Sequence, residues 1–327
     1  MKQAAWLTEG IVLGNQFHYR KKIPWKHNLL NLSMLTLMLM SVLALVNTSR
    51  WLHPAVYVPL VSLGLGVVFF GLIILVVHEA SHQMFIITQE RQAAARWNRV
   101  AGWMVALPFA IHYGKHWEEG HQLHHLHPVE PLDPQTRNLF TGREFVRIFL
   151  LSLLIPGYVF LWNPNRQYRE ARWITPVNLL LWTAIVALTV QFLPWWSTLA
   201  YLGGIQTLGA LNQLKGSLEH GGEVALHPNR NLRSRTSFFP LRWLIMPLNI
   251  SLHFEHHLNY CVPWYELMNY HQALRPRVPI RLQSLIFNEH VLDQVLGKLG
   301  GVQGEEAEVV TVSQELMGTG EASPALA

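Results

Sequence analysis

Polar and apolar positions in this chain segregate into long blocks rather than alternating. Four blocks are each about as long as the 20 residues a helix needs to cross a bilayer. Leu29 to Val46 and Pro54 to Val77 form a first pair, and the second of these carries no charge. Ile174 to Leu193 and Trp195 to Leu214 form a second pair. A short connection joins the members of each pair, so the pattern predicts an all-α membrane protein with four transmembrane helices in two hairpins. A fifth run, Val146 to Trp162, is interrupted by Arg147 and by Pro156-Gly157, and is expected to be interfacial or re-entrant. Val100 to Ile111 and Leu241 to Ile250 are shorter and are expected as interfacial helices. From Gly304 the chain becomes acidic and small and loses periodicity. The reading therefore divides it into an integral-membrane domain, 1–303, and a disordered tail, 304–327.

Composition supports the membrane reading. The chain is 50% hydrophobic and 14% charged, against about 25% charged in a soluble domain. Its net charge is +5, and the basic residues gather in particular segments. Arg20, Lys21, Lys22 and Lys26 precede the first block, while Arg166 to Arg172 and Lys215 flank the second hairpin. The link at Pro194-Trp195-Trp196 has no Lys or Arg, and its tryptophans suit an interfacial belt. The positive-inside rule then places both termini and the polar segments next to the hairpins in the cytoplasm. This distribution fits membrane orientation better than nucleic-acid binding. The single cysteine, Cys261, leaves neither an intramolecular disulfide nor a CxxC metal motif. Glycine-rich nucleotide motifs and internal repeats are missing. No apolar stretch follows Lys2 directly, so no signal peptide is expected.

The candidate chemistry lies at the block ends, in three histidine clusters. They are His78-Glu79-Ala80-Ser81-His82, His121-Gln122-Leu123-His124-His125 and His253-Phe254-Glu255-His256-His257. Residues three and four apart share one face of a helix, so each cluster presents two or three imidazoles together. These hold eight of the chain's 18 histidines. Imidazole is a good ligand for iron, copper and zinc, and eight converging rings exceed what one ion can use. A two-metal site follows. It requires all three clusters on one membrane face, which is why the fifth apolar run is not read as a span. His220, just past the fourth block, is a ninth candidate.

Two other readings start from the same residues. The first cluster is also HExxH, the zinc-protease pattern in which Glu79 would be the base, but that leaves the other two clusters unexplained. A histidine-rich metal carrier would be expected to place ionisable groups inside its spans, whereas these lie just outside.

Taken together, the clusters and their context resemble the membrane fatty acid desaturase superfamily. The third cluster, from Asn249 to Leu258, follows that family's N-x-x-x-H-x-E-H-H-L, and Val262-Pro263, Leu267 and His271 follow in order. Glu219-His220 resembles its additional ligand position and Arg235-Thr236 its R-T pair. The resemblance implies two iron ions with O2 as co-substrate, held by His78, His82, His121, His124, His125, His220, His253, His256 and His257 in a cytoplasmic cap. It implies a lipid substrate taken from the membrane. It also implies a separate electron donor of ferredoxin or cytochrome b5 type, because no H-P-G-G heme motif is present. Desaturases, hydroxylases and carotenoid ketolases share the clusters. The third-cluster context and Val262-Pro263-Trp264 are more similar to acyl-lipid desaturases, so desaturation of a long-chain fatty acyl lipid is the expected activity.

The remaining polar groups have more ordinary expectations. His112, His116 and His127 are expected to be interfacial or to support the ligands, and His271 to be structural. His18, His27, His53, His227 and His290 are expected on the surface or in loops. Glu79, Glu219, Glu255 and Asp133 would either orient ligand imidazoles or stand in solvent. Arg91, Arg96, Arg99, Arg230, Arg233 and Arg235 would form a basic face for an acidic donor or for lipid headgroups.

Overall fold

Helix α1 (Lys2–Gly14) precedes the first apolar block, which folds as α2 (Pro24–Asn47). The second block folds as α3 (Pro54–Leu72). Both α2 and α3 open on proline, whose fixed φ suits a first helical turn and whose missing amide needs no partner there. The structure, a computed structural model, describes residues 2–109, 111–135, 142–155, 157–158 and 173–295. The expected tail at 304–327 and the basic stretch Arg166 to Arg172 lie outside these residues.

Beyond α3 come α4 (Arg91–Ala106), α5 (Gly120–Leu126) and α6 (Gly142–Leu154). The second hairpin is α7 (Ile174–Phe192) and α8 (Trp196–His220). Short elements complete the cap: α9 (Arg242–Ile245), α10 (His253–Leu258), α11 (Leu267–Leu274), α12 (Ile280–Ile286) and α13 (Val291–Val295). Strands β1 (Thr236–Ser237) and β2 (Phe287–Asn288) pair in parallel, two residues each. Thr236 also bridges to Leu252, immediately before α10.

The protein is predominantly helical, and among the described residues two helical stretches, Pro24–Arg50 and Pro54–Ser81, are long and apolar enough to cross a membrane. Only 6% of the apolar window in the first is buried, against 72% in the second. Helix α3 is therefore central and α2 lies on the outside, with Leu37, Met40 and Leu43 among its exposed side chains. So much bare apolar helix needs an apolar surrounding, and this associates the protein with a membrane. In α7 the apolar stretch, Pro176–Phe192, is shorter. Helix α8 is long but spends positions on Gln206, Asn212, Gln213 and Lys215. It exchanges apolar bulk for close contact with α3. An added Cβ on Gly204 would sit 2.8 Å from Leu65 Cβ, and one on Gly203 would sit 2.2 Å from Ser62 Oγ. Small residues let helices approach in just this way.

Helix α6 has 13 residues, too few to cross a bilayer. Gln206 of α8 stops it, donating to the Ile155 carbonyl at 2.6 Å and accepting from Gly157 N at 3.0 Å. The fifth apolar run is thus a short helix followed by a turn, as far as it is described.

Among the described residues two apolar cores result. One centres on α3 and α8, including Leu65, Phe69, Ile205 and Leu208. The other lies in the cap, where Trp6, Leu7 and Leu13 of α1 pack with Phe254, Leu258, Tyr270 and Leu274. Tyr270 Oη donates to the Gly10 carbonyl at 2.8 Å, which fastens α1 beneath the third histidine cluster.

Candidate metal centre

Irregular backbone leads into each histidine cluster or out of it. Helix α3 continues through a π-helical segment, Ile73–His78, into a last turn, Glu79–Ser81. A second π-helical segment, Tyr113–Glu119, runs into α5. Such widened turns shift the angular register of everything after them and recur at functional sites. Gln83 follows the first cluster with φ of 62°, Val129 follows the second with 58°, and Leu248 and Asn249 precede the third with 58° and 56°. Left-handed backbone is costly for such residues, most of all for β-branched Val129, and persists only where surrounding contacts demand it.

The three clusters meet. His78, His82, His121 and His256 bring one nitrogen each to within 4.8 Å of one another, and so do His124, His220, His253 and His257. The ninth residue, His125, lies between these quartets. Its ring centroid is 4.7 Å from that of His256 and 4.3 Å from that of His257. Within the quartets, Nε2 of His78 lies 3.0 Å from Nε2 of His256, and Nε2 of His253 lies 2.9 Å from Nε2 of His220. Two nitrogens each about 2.1 Å from one ion, at roughly a right angle, stand about 3.0 Å apart. Among the described residues neither nitrogen of His82 has a hydrogen-bond partner, and nor does Nε2 of His257. Buried polar atoms left in this way call for a ligand.

Electrostatics point the same way. Burial, aided by mutual repulsion, holds His82, His121, His125, His253, His256 and His257 well below the usual imidazole range. They are therefore neutral, the state in which imidazole binds a metal. Around them, outer groups engage Nδ1 and leave Nε2 facing inward. His121 Nδ1 donates to Gln135 Oε1 at 2.7 Å, His124 Nδ1 to Asp133 Oδ2 at 2.8 Å, and His220 Nδ1 to the Arg233 carbonyl at 2.6 Å. Glu79 Oε1 lies 3.3 Å from His78 Nδ1, and Glu219 Oε1 lies 3.1 Å from His253 Nδ1. Burial alone would raise the Asp133 carboxyl, but His124 and the amides of Val129 and Gln135 outweigh it and hold the group below the carboxylate range. The strained Val129 earns its conformation here, since its amide donates to Asp133 at 2.9 Å.

A cavity of about 50 Å³ touches both quartets, enough for roughly three or four waters. Phe70, Ile73 and Ile74 form its apolar wall, and Asn212, Lys215 and Glu219 face them from α8. Lys215 Nζ donates to Glu219 Oε2 at 2.6 Å, so the charges at its polar end are paired.

Fold and geometry define a class: a helical, membrane-associated protein with two imidazole quartets, buried but for the partly exposed His257, gathered near the ends of its central helices. The fatty acid desaturase family matches residues 49–286, well over half of the 327 residues, and the chain belongs to that family. No curated protein and no solved structure matches the chain. Family and quartets are compatible with a di-iron oxygenase centre and do not fit a protease built on HExxH. Glu79, the base in that reading, is buried against the ring of His78.

Several outer residues depart from expectation. Glu255 does not orient a quartet imidazole. It accepts from His271 Nδ1 at 2.5 Å and from the Thr236 hydroxyl, because its position in α10 points it away from the quartets. His27 is not a surface residue but 2% exposed. It lies 2.8 Å from Tyr265 Oη and 2.6 Å from the Met84 carbonyl, which ties α2 to the segment after the first cluster. The basic face is smaller than the sequence suggests. Arg235 is buried and donates to the Leu285 carbonyl, Arg233 is engaged by the His227 carbonyl and Glu130, and Arg99 pairs with Glu118. Sequence reasoning also passed over Trp117, whose ring centroid is 5.0 Å from that of His121. Its signal was present, since it precedes His121 by four residues and so shares a helical face with it.

Proposed function

We propose that this chain is an integral-membrane di-iron oxidoreductase that uses O2 and electrons from a separate carrier to desaturate a long-chain fatty acyl lipid. The observation that carries the reading is the pair of quartets. His78, His82, His121 and His256 would hold one iron, and His124, His220, His253 and His257 the other, with His125 available to either. When bound, the irons supply the reduction of dioxygen and the oxidising power to remove hydrogen from an unactivated C–H bond.

The chain's own residues supply the rest. Asp133, Gln135 and the Arg233 carbonyl fix the tautomers of His124, His121 and His220 and hold those rings in place, and Glu219 lies against His253. Phe70, Ile73, Ile74 and Trp117 give the cavity an apolar wall against which a methylene segment can lie, with little water near the reacting carbons. The bare face of α2 and the apolar blocks of both hairpins support four spans, and the basic segments beside them support a cytoplasmic cap. Over one cycle the lipid gives up two hydrogens, the carrier gives two electrons, and two protons from solvent complete the conversion of O2 to two waters.

The test is elemental and chemical. Protein purified with adequate iron should hold about two irons per chain, and in a host membrane it should yield unsaturated acyl chains. Stoichiometric zinc without iron would refute the centre. An iron-loaded chain that gives only oxygenated lipid would refute desaturation.

A further inference from the structure

The quartets are buried, yet electrons from outside must reach them. Tyr260, three residues past the third cluster, is 44% exposed. Its ring centroid lies 5.2 Å from that of His82, nearly parallel at 26°, and 5.2 Å from that of His125. One side of the ring thus meets solvent while the other meets an imidazole of the first quartet and the imidazole between the quartets. His125, in contact with Tyr260, and its neighbour His257 are also the ones of the nine that are not fully buried.

A basic turn lies alongside. Tyr19 N donates to the Cys261 carbonyl at 3.0 Å, which pins the turn Tyr19–Lys21 against the residue after Tyr260. Arg20 and Lys21 are exposed, while Lys22 is held by Glu266 at 2.5 Å. Of the other basic face, Arg233 and Arg235 are engaged elsewhere and Arg99 pairs with Glu118, while Arg91, Arg96 and Arg230 are exposed but have no exposed ring stacked on the histidine site beside them. Here an exposed aromatic is flanked by exposed cations, an arrangement that suits a partner with an acidic rim.

We propose that Tyr260 is the electron port of this enzyme, and that Arg20 and Lys21 dock an acidic one-electron carrier protein over it. This rests on the di-iron reading above. Each docking oxidises the carrier by one electron and reduces the centre by one, so a cycle takes two dockings.

An acidic [2Fe–2S] ferredoxin serves as the probe, with the full chain in nanodiscs. Its affinity is measured on both metal-free and iron-loaded chain. The double variant Arg20→Glu/Lys21→Glu should weaken binding about tenfold at low salt, and high salt should remove the difference. Anaerobic mixing of reduced ferredoxin with oxidised, iron-loaded chain then reads the transfer itself. Tyr260→Ala should lose the fast phase of ferredoxin oxidation at saturating ferredoxin, and Tyr260→Phe, which keeps the ring, should restore it. Dithionite, which needs no docking, should reduce every variant alike. The proposal is overturned if Tyr260→Ala transfers as fast as wild type. It is also overturned if the charge variant keeps its ferredoxin affinity and loses only adhesion to anionic vesicles, which would make the turn a lipid contact. A wild-type chain that binds no iron would instead fail the di-iron reading, and the affinity on metal-free chain would still decide the docking surface.

Discussion

The nine imidazoles differ in how firmly the protein aims them. His121, His124 and His220 are each fixed through Nδ1, whereas His82 has only ring neighbours. Asp133 is the most committed of the aiming groups, since it also anchors Val129 and Gln135. Replacing it with Asn keeps the volume but removes the charge, so iron affinity, read by competition with a chelator, should fall about 10–100-fold. An unchanged affinity would mean that His124 needs no such partner. His256→Ala deletes a ligand rather than packing. It should abolish lipid oxidation and lower bound iron while the chain still inserts; an inserted variant with near wild-type product would remove the third cluster from the ligand set. The spacing of the clusters made the imidazoles legible in the sequence, but not how they divide. Successive helical residues point about 100° apart, so neighbours His256 and His257 serve different quartets and Glu255 faces Thr236 and His271. That division depends on where each short helix is docked, which no local pattern records.

At the scale of elements, the apolar blocks announced α2, α3 and α7, because unbroken apolar runs leave few alternatives to a helix. Helix α1, the π-helical segments and the two-residue strand pair were not legible. They are set by packing inside the cap and by register rather than by composition. The same limit hid the reason α8 is less apolar than the others: its glycines and polar side chains are spent on α3 and α6. This contact matters to the site because α3 carries His78 at its end and α8 carries His220. Gly204→Leu would drive a side chain into Leu65 and Phe69, where even a Cβ meets atoms at 2.8 and 3.0 Å. Overpacking of this kind costs about 1–3 kcal/mol. The variant should melt at lower temperature in detergent and bind less iron, since the helices that carry two of the quartet residues are pushed apart. A variant with lowered melting temperature but full iron occupancy would show that the cap holds the quartets without help from the α3–α8 contact.

At the scale of the molecule, one arrangement has to satisfy bare apolar helices, a polar cap and the histidine site. Helix α2 leaves its sides open to lipid, while α3 is shielded and leads straight into the first cluster. Trp195, at the α7–α8 turn, and Trp25, at the start of α2, are exposed. Tryptophan is enriched at both borders of a bilayer, which supports placing these two positions there. Under the proposed four-span topology, with the α7–α8 turn at one border, the far ends of α3 and α8, and the quartets with them, would fall at the other. In the proposed topology the basic segments belong to that second side, which the positive-inside rule would make the cytoplasmic one. Cysteine labelling tests this in intact cells once Cys261 is replaced. A Trp196→Cys variant should react with an impermeant reagent added outside, and a His227→Cys variant should react only after the cells are opened. Trp196→Cys protected until opening, or His227→Cys reactive from outside, would invert the arrangement. The carrier that serves the quartets would then have to be sought on the other side of the membrane.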